Sequence, residues 1–447
     1  MTPSSEFTIG GEHVKHRNDD ADVIVVGAGP AGSSTAHWCA SAGLDVLLLE
    51  KAEFPRDKIC GDGLTPRAVS ELVRMGVDTD ERDGWIRNRG LRVHATGRSW
   101  ELDWPDLTAY PGYGMARARM TLDQTLAQHA QASGAKLLTA TKVTGAVTDE
   151  RTGRITGVTA QPLDGRGRAE GPERTFRAPV VVASDGVSSR LATGVGRMRR
   201  DDRPMGTAVR AYYTTPRHAD PFMESHLELW SGEPGRSDLL PGYGWVFPLG
   251  DGTANVGLGS VHSTPARQSR AGIDYRALQD TWLTHSAPEG WDIGPEAATG
   301  KVRGAALPMG FNRGPLYADG LLLAGDAAGM VSPFNGEGIA YGLQAGRVAA
   351  EAIAAARHKS TDAAREAALA TYADRMRADL GGYYTLGRWF VRLIEHPQVM
   401  RACVRHGLPR KVVMQFVLKL LSDCYEPSGG DWIDRTIAGL TKVVPRS

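Results

Sequence analysis

Val23-Ile24-Val25-Val26-Gly27-Ala28-Gly29-Pro30-Ala31-Gly32 is the stretch whose reading decides the fold. Its four β-branched residues read as a buried strand, and the glycines open a helix expected over Ser33–Ser41. A second strand, Asp45–Leu49, ends in Glu50. Gly27 permits a tight turn, Gly29 lets backbone approach a pyrophosphate, and Gly32 lets helix and strand pack closely. The helix N-terminus offers free N–H groups and a partial positive charge to phosphates. Glu50 lies 23 positions after Gly27, where a carboxylate accepts hydrogen bonds from adenosine ribose hydroxyls. Pro30 and Ala31 between the glycines, and Lys51 beside Glu50, belong to the same expected binding set. Strand, glycines, helix, strand and acid in that order point to a dinucleotide.

Outward from this unit, short β-branched runs alternate with helical stretches from Ala21 to about Ala183. Val46–Leu49, Val180–Val182 and a helix over Met120–Ser133 predict βαβ units and a parallel sheet. From about Gly206 to Arg303 the pattern changes to strands with polar alternation and Gly-rich turns: Thr207–Tyr213, Ser225–Trp230, Gly244–Phe247 and Thr253–Gly259. That texture suits an antiparallel sheet, with a helix near Tyr275–Leu283. After Glu337 the chain reads as mostly helical, beginning with an Ala-rich helix over Ile339–Ala356.

Composition narrows the function classes. At 447 residues the chain holds about three domains' worth of material at ~150 residues each. Lys+Arg 52 against Asp+Glu 51 leaves a net charge of +1, which argues against a nucleic-acid partner. Gly at 54 residues, about 12% against the ordinary ~7%, suggests tight turns and close backbone approach to a ligand. The four cysteines, Cys39, Cys60, Cys403 and Cys424, form no CxxC and no zinc-spaced cluster, so no metal site is expected and the thiols suit a reducing compartment. Met1–Asp20 lacks the apolar core of a signal peptide, and no run approaches the ~18 apolar residues of a membrane span. The expectation is a cytoplasmic protein, with peripheral contact to the inner face of the membrane left open.

The first motif does not separate NAD from FAD; a second one does. Leu321–Ala328 reads as a strand running into the acidic turn Ala324-Gly325-Asp326-Ala327, and Pro333-Phe334-Asn335-Gly336-Glu337-Gly338 precedes the Ala-rich helix. An Asp at a strand end can bind the ribityl hydroxyls of a flavin, although it can also merely cap a turn. Gly336 and Gly338 let a helix N-terminus approach the flavin ring, where its dipole favours the negative charge of the reduced form.

These motifs, with Ala183-Ser184-Asp185-Gly186, Ser188 and Arg190, resemble the FAD proteins of the p-hydroxybenzoate hydroxylase fold. Within that group the chain is most similar to the geranylgeranyl reductase family, through Lys58-Ile59-Cys60-Gly61-Asp62-Gly63, Arg119–Asp123 and Pro241–Pro248. Ser184, where the fold usually has Ala or Gly, and Leu122, where an aromatic is common, depart from the pattern. The resemblance covers roughly residues 21–356. It implies a mixed α/β fold: a Rossmann-like FAD-binding domain over 20–84, 117–199 and 301–356, and an antiparallel-sheet substrate domain over 85–116 and 200–300. A helical region over 357–447 and a disordered tail over 1–19 complete the division.

The resemblance further implies that Gly27, Gly29 and Gly32 line the pyrophosphate, Glu50 holds the ribose, Arg119 helps bind FAD and Asp326 takes the ribityl chain. Asp185 would support FAD and the nicotinamide path, or only the turn after its strand. With a single dinucleotide fingerprint, NADPH would bind transiently on the flavin face; a flavin reductase or ferredoxin-like electron donor could replace it. Cys60, Tyr243 and Trp245 form the expected catalytic set: a thiol near the reactive side of the flavin, or an inert filler, and aromatics that wall a prenyl tunnel, or only a sheet core.

In the tail, Val412, Val413, Phe416, Val417, Leu420 and Leu421 recur at helical spacing near Arg410, Lys411 and Lys419. An interfacial helix admitting a lipid substrate and an ordinary core-covering helix both fit. The implied activity is flavin-dependent reduction of C=C bonds in a menaquinone side chain or a geranylgeranyl lipid or diphosphate. A hydroxylating monooxygenase is the first rival and a non-catalytic prenyl carrier the second; Tyr243-Gly244-Trp245-Val246-Phe247-Pro248 breaks the halogenase Trp-x-Trp-x-Ile-Pro motif at two places.

Overall fold

A computed structural model describes residues 20–286, 290–407 and 409–445; the expected tail, 1–19, lies outside the described residues. Val23–Val26 sits inside a six-stranded sheet, parallel to Val180–Ala183 on one side and Val46–Leu49 on the other. Leu321–Leu323 and Lys136–Leu138 extend the parallel array, and Tyr317–Ala318 adds an antiparallel edge. A sheet covered on both faces must be apolar on both, and every residue of its three central strands is buried.

One cover is helical. The helix Pro30–Ser41 begins at Pro30, three residues before the expected start, because proline suits the first helical position. It lies against Ile339–Arg357, where a Cβ at Gly346 would stand 2.6 Å from the Thr35 nitrogen. The other cover is a three-stranded antiparallel layer, Thr141–Thr148, Ile155–Pro162 and Arg174–Arg177, which sends Ile155, Val158, Ala160 and Phe176 into the same core.

The second large sheet has seven strands, in the order Arg303–Pro308, Met205–Thr214, Thr253–His262, Gly242–Pro248, Phe222–His226, Gly90–Ala95 and Arg98–Asp103. It is mixed rather than purely antiparallel, because Phe222–His226 runs parallel to Gly90–Ala95. The expected strand over Ser225–Trp230 is displaced to Phe222–His226; its neighbour turns back through a hairpin at Thr96 (φ 54°), so pairing runs out there. Arg303–Pro308 pairs along Met205–Arg210 and so belongs to this sheet, although the sequence division placed it in the cofactor region. Gly114–Ala116 pairs with both Gly63–Leu64 and Ile86–Asn88, stitching the inserted segment to the cofactor region.

Beyond residue 357 the chain is helical. The 33-residue helix Asp362–Ile394 buries Tyr372, Met376, Leu380, Tyr383 and Tyr384 in the parallel-sheet core. Lys411–Leu421 returns to the seven-stranded sheet, where Met414 and Leu418 join Val93, Leu102, Trp104 and Met223. Among the described residues no helix is long and apolar enough to cross a membrane.

Candidate functional site: one cavity with a polar and an apolar end

The carboxyl ends of the parallel strands, the seven-stranded sheet and the C-terminal helices enclose a cavity of about 1230 Å³. That exceeds the ~300–1,000 Å³ of an ordinary single-ligand pocket. Its polar end is the fingerprint turn. Gly27 has φ +97°, and a Cβ there would lie 2.5 Å from the Ser184 carbonyl; at Gly32 it would lie 1.8 Å from the Gly27 carbonyl. Only hydrogen fits at either place. Gly29, Pro30 and Ala31 line the cavity at the helix start, and Lys51 stands exposed at its rim.

Glu50 is buried, accepting from the Ala52 N–H at one oxygen (3.0 Å) and from the Ala28 N–H and Arg56 at the other (3.0 and 3.1 Å). Arg119 also reaches the cavity wall, but its guanidinium grips Asp123 with two bonds (2.6 and 2.8 Å). Asp123 takes a further bond from Arg56 (2.8 Å), a residue the sequence reading did not single out. Arg56 retains 16% of its side-chain exposure and stands beside Gly29 on the cavity wall, where a guanidinium suits a phosphate.

Asp326 lies on the turn after Leu321–Leu323, with one carboxylate oxygen 3.2 Å from where a Gly338 Cβ would be. Gly336 (φ +77°) and Gly338 bring the N-terminus of Ile339–Arg357 to the same wall. Asp185 accepts from the Ser189 hydroxyl (2.6 Å) and the Leu191 N–H (3.3 Å), so its carboxylate closes the turn into Arg190–Gly194 while bordering the cavity. These glycine cradles, the buried acid at the second strand and the open helix start fit an FAD: Gly27, Gly29 and Gly32 would hold the pyrophosphate, Glu50 the ribose and Asp326 the ribityl chain.

The apolar end begins where the sheet's aromatics face inward. Tyr243, Trp245 and Phe247 alternate along one face of Gly242–Pro248, with ring centroids 6.0 and 6.2 Å apart. The loop Cys60–Gly63 packs on this ladder so tightly that a Cβ at Gly63 would meet Met223 at 2.9 Å and Phe247 at 3.1 Å. Burial pushes the Cys60 thiol upward, and burial likewise pushes the Tyr243 phenol above its ordinary value, so both are held neutral. Leu91, Val93, Met223 and Leu227 continue the lining to Met414, Val417 and Leu418.

A polar knot that sequence reading missed holds the loop in place. Asp62 (φ 66°) is fully buried; it accepts from Tyr212 (2.8 Å), Asn255 (2.8 Å) and the Arg119 N–H (3.2 Å). Asn255 also donates to the Cys60 carbonyl (2.8 Å) and accepts from Trp245 (2.9 Å). Burial, against the Asn255 and Tyr212 bonds, pushes the Asp62 carboxyl up to about 6. The only advance signal was an acid between two glycines in Cys60-Gly61-Asp62-Gly63.

Glu337 was quoted within its motif but given no role. It lines the cavity between Gly336 and Gly338, and the Thr65 hydroxyl stands 2.9 and 3.1 Å from its two oxygens. Burial, against that bond, pushes its carboxyl up to about 7.

On the opposite face of the seven-stranded sheet, His94, Glu224 and His226 converge, a trio that the expectation of no metal site had not foreseen. The two rings stack at 4.3 Å with only 4° between their planes, and parallel faces do not aim two lone pairs at one ion. Arg92 and Arg217 pair with Glu224 (2.8 and 3.4 Å), so the trio reads as an ionic clasp.

Residues 20–380 match the family described as FAD binding domain. The chain is 38% identical to a menaquinone reductase of Mycobacterium tuberculosis over 96% of its own length and 98% of that protein's. It is 32% identical to digeranylgeranylglycerophospholipid reductase 2 of Methanopyrus kandleri, covering 80% of this chain and 83% of that one. Among solved structures, a geranylgeranyl bacteriochlorophyll reductase-like protein of Thermoplasma acidophilum superposes with a TM-score of 0.69 at 21% identity, over 94% of this chain and 99% of the other. The flavin-dependent brominase Bmp2 superposes with a TM-score of 0.68 at 20% identity, over 94% and 98%. At such identities the two superpositions report the shared fold.

Proposed function

The chain belongs to the FAD-binding domain family, and from that premise we propose that it is an FAD-dependent oxidoreductase that reduces C=C bonds of a prenyl chain, such as a menaquinone side chain or a geranylgeranyl lipid. The observation that carries this reading is the single cavity, which joins the fingerprint turn to an apolar tunnel between Tyr243–Phe247 and Lys411–Leu421. Relatives matched over 98% and 83% of their lengths are named menaquinone reductase and digeranylgeranylglycerophospholipid reductase, which supports this reading.

Bound and reduced, FAD supplies a hydride; this chain's residues do the rest. The apolar end takes a flexible hydrocarbon by burial, worth about 25 cal/mol per Å² of apolar surface removed from water. The same lining keeps water from the reacting atoms. The Asp62–Asn255–Trp245 knot fixes the Cys60 loop against the aromatic ladder, so the wall facing the alkene is rigid.

NADPH is the proposed reductant, docking on the flavin face because the chain has one dinucleotide fingerprint; a protein donor would serve the same role. The proposal includes peripheral membrane contact. The tunnel runs beside Phe390, Ile394, Met400 and Val413, close to exposed Trp389, Leu393 and Val412. Arg392, Arg401, Arg405 and Arg410 are exposed along the same stretch, between the end of Asp362–Ile394 and the start of Lys411–Leu421. Apolar residues within a basic surface suit an anionic bilayer.

The test is anaerobic. Holoprotein reduced with dithionite is given menaquinone or geranylgeranyl lipid, and products are weighed by mass spectrometry. A gain of two hydrogens without oxygen is the expected outcome. Gain of one oxygen atom only after air is admitted would instead make the protein a monooxygenase.

A further inference from the structure

A double bond without an activating carbonyl needs a proton donor as well as a hydride, and the cavity narrows the choice. Burial makes both Cys60 and Tyr243 weaker acids than they are in water, poor proton donors at neutral pH. Most of the cavity's carboxyls are committed, and Asp326, on the same wall, is the one that would take the ribityl chain. Glu50 is tied to Ala28, Ala52 and Arg56, Asp62 to Tyr212, Asn255 and Arg119, and Asp185 to Ser189 and Leu191. Glu337 differs. One hydroxyl, that of Thr65, spans both of its oxygens, and among the described residues no guanidinium or ammonium group pairs with it.

Its surroundings favour the neutral acid. The cation that acts on it, Arg67, is already paired with Asp423 (2.9 Å) and lies over the Tyr341 ring at 5.3 Å. Facing Glu337 from the packed elements are Thr65 and Arg67 on one side, Asn335 and Tyr243 on another, and Asp423, Cys424, Tyr341, Tyr383 and Tyr384 beneath. The Tyr243 hydroxyl donates to the Asn335 carbonyl (2.6 Å), which anchors the aromatic ladder two residues from Glu337. Glu337 thus stands where the helix start meets the apolar end.

We propose that Glu337 is the general acid that protonates the prenyl double bond. The role rests on the reductase reading above. In the step, the carboxyl O–H bond breaks and a C–H bond forms at one alkene carbon. The other carbon accepts the hydride that reduced FAD supplies, so the alkene gains two electrons and the flavin loses them. Glu337 is left as a carboxylate and regains its proton from solvent water once product leaves.

The experiment compares wild type with Glu337→Gln as holoenzymes. In anaerobic single turnover the variant should lose about 100-fold or more in rate, the scale of a positioned general acid. Its FAD content, dithionite reduction and KM should stay within threefold of wild type. Wild-type turnover should fall as pH rises through about 7, because the acid form is the active one. Thr65→Val, which removes the bond favouring the carboxylate, should move that limb to higher pH while retaining activity below it.

A readout independent of turnover is infrared difference titration without substrate: a protonated-carboxyl band that disappears near pH 7 in wild type and is missing in Glu337→Gln. A variant that holds FAD and reduces the alkene at the wild-type rate overturns the acid role alone. So does absence of the band from wild type. Wild type that yields no reduced product overturns the reductase reading, and the acid role falls with it.

Discussion

The two ends of the cavity are built by opposite means. At the fingerprint end, charges are plentiful and paired: Arg119 and Arg56 share Asp123, and Arg56 reaches on to Glu50. Position there is set by Gly27 and Gly32, packed against backbone with no slack for a methyl group. At the other end, Val93, Met223, Met414 and Leu418 form one apolar cluster between the sheet and the helix Lys411–Leu421. A rigid polar cradle suits a cofactor that stays, and an apolar sleeve suits a chain that must slide in and leave. The difference teaches that substitutions at the first end should act as on/off switches, and those at the second should act by length and shape.

The largest effect should come from Gly32→Ala. Its methyl would sit 1.8 Å from the Gly27 carbonyl oxygen, so helix and strand must part by more than an ångström. We expect protein that purifies without FAD and regains none on incubation with it, measured by flavin absorbance. Gly43→Ala is the control. Gly43 has φ +76°, a strain that helical Gly32 lacks, but nothing lies within 4 Å, so the change should cost only about 1 kcal/mol of backbone strain and leave FAD bound. Equal FAD loss in both variants would remove the contrast between a packed cradle and an ordinary turn.

Met414→Trp should break the sleeve without touching the cradle. Met414 is 1% exposed, and a larger ring there must intrude on the tunnel or strain its wall by about 1–3 kcal/mol. Reduction of a long prenyl substrate should fall by about tenfold or more, a short one should change by less than threefold, and FAD content should hold. A uniform loss over both lengths would mean that the helix Lys411–Leu421 supports the fold and does not shape the tunnel.

The same contrast explains what was legible in the sequence. The cradle is local: strand, turn, helix and acid lie between Val23 and Glu50, and each residue type answers a constraint set by its immediate neighbours. The sleeve is assembled from a distance. Gly90–Ala95 finds Phe222–His226 as a parallel neighbour, and a mixed pairing of that sequence separation leaves no periodic mark in either segment. Helical spacing over Val412–Leu421 identified the last sleeve element as amphipathic, yet an apolar face reads alike whether it meets lipid or a sheet. In the structure Met414 and Leu418 turn to the sheet, while Val412 remains 55% exposed. Glu337 and Asp62 escaped notice for a related reason: their environment is supplied by Thr65, Tyr212 and Asn255, none adjacent in sequence.

A smaller effect should sharpen the boundary between sleeve and surroundings. Arg392 is exposed on the last turn of Asp362–Ile394, beside exposed Trp389 and Leu393. If that face rests on an anionic bilayer, Arg392→Gln should weaken sedimentation with anionic liposomes about fivefold, the equivalent of ~1 kcal/mol per basic residue. The effect should vanish with neutral lipid or in high salt. Reduction of a detergent-dispersed short substrate should not change. If wild-type protein stays in the supernatant with anionic liposomes, the membrane contact is wrong and the sleeve must fill from solution.

The smallest expected effect tests how much of the cradle rests on glycine alone. The Ser184 hydroxyl is 2.8 Å from the Val26 carbonyl and 3.0 Å from the Gly27 carbonyl. Its oxygen would also lie 2.5 Å from a Cβ at Gly32, so the side chain fills the space that the glycines leave. One hydroxyl proton cannot serve both carbonyls at full strength, and the Val26 carbonyl already receives the Ser184 N–H at 2.9 Å. Ser184→Ala should therefore cost about 1 kcal/mol at most, seen as a fall of about 2 °C or less in the melting temperature of the FAD-free protein. FAD affinity should shift by less than threefold, because the hydroxyl points at backbone and the glycines keep their places. A large drop in FAD affinity with an unchanged melting temperature would reverse that assignment: Ser184 would be a direct contact of the cofactor, and the cradle would depend on a side chain as well as on the absence of two others.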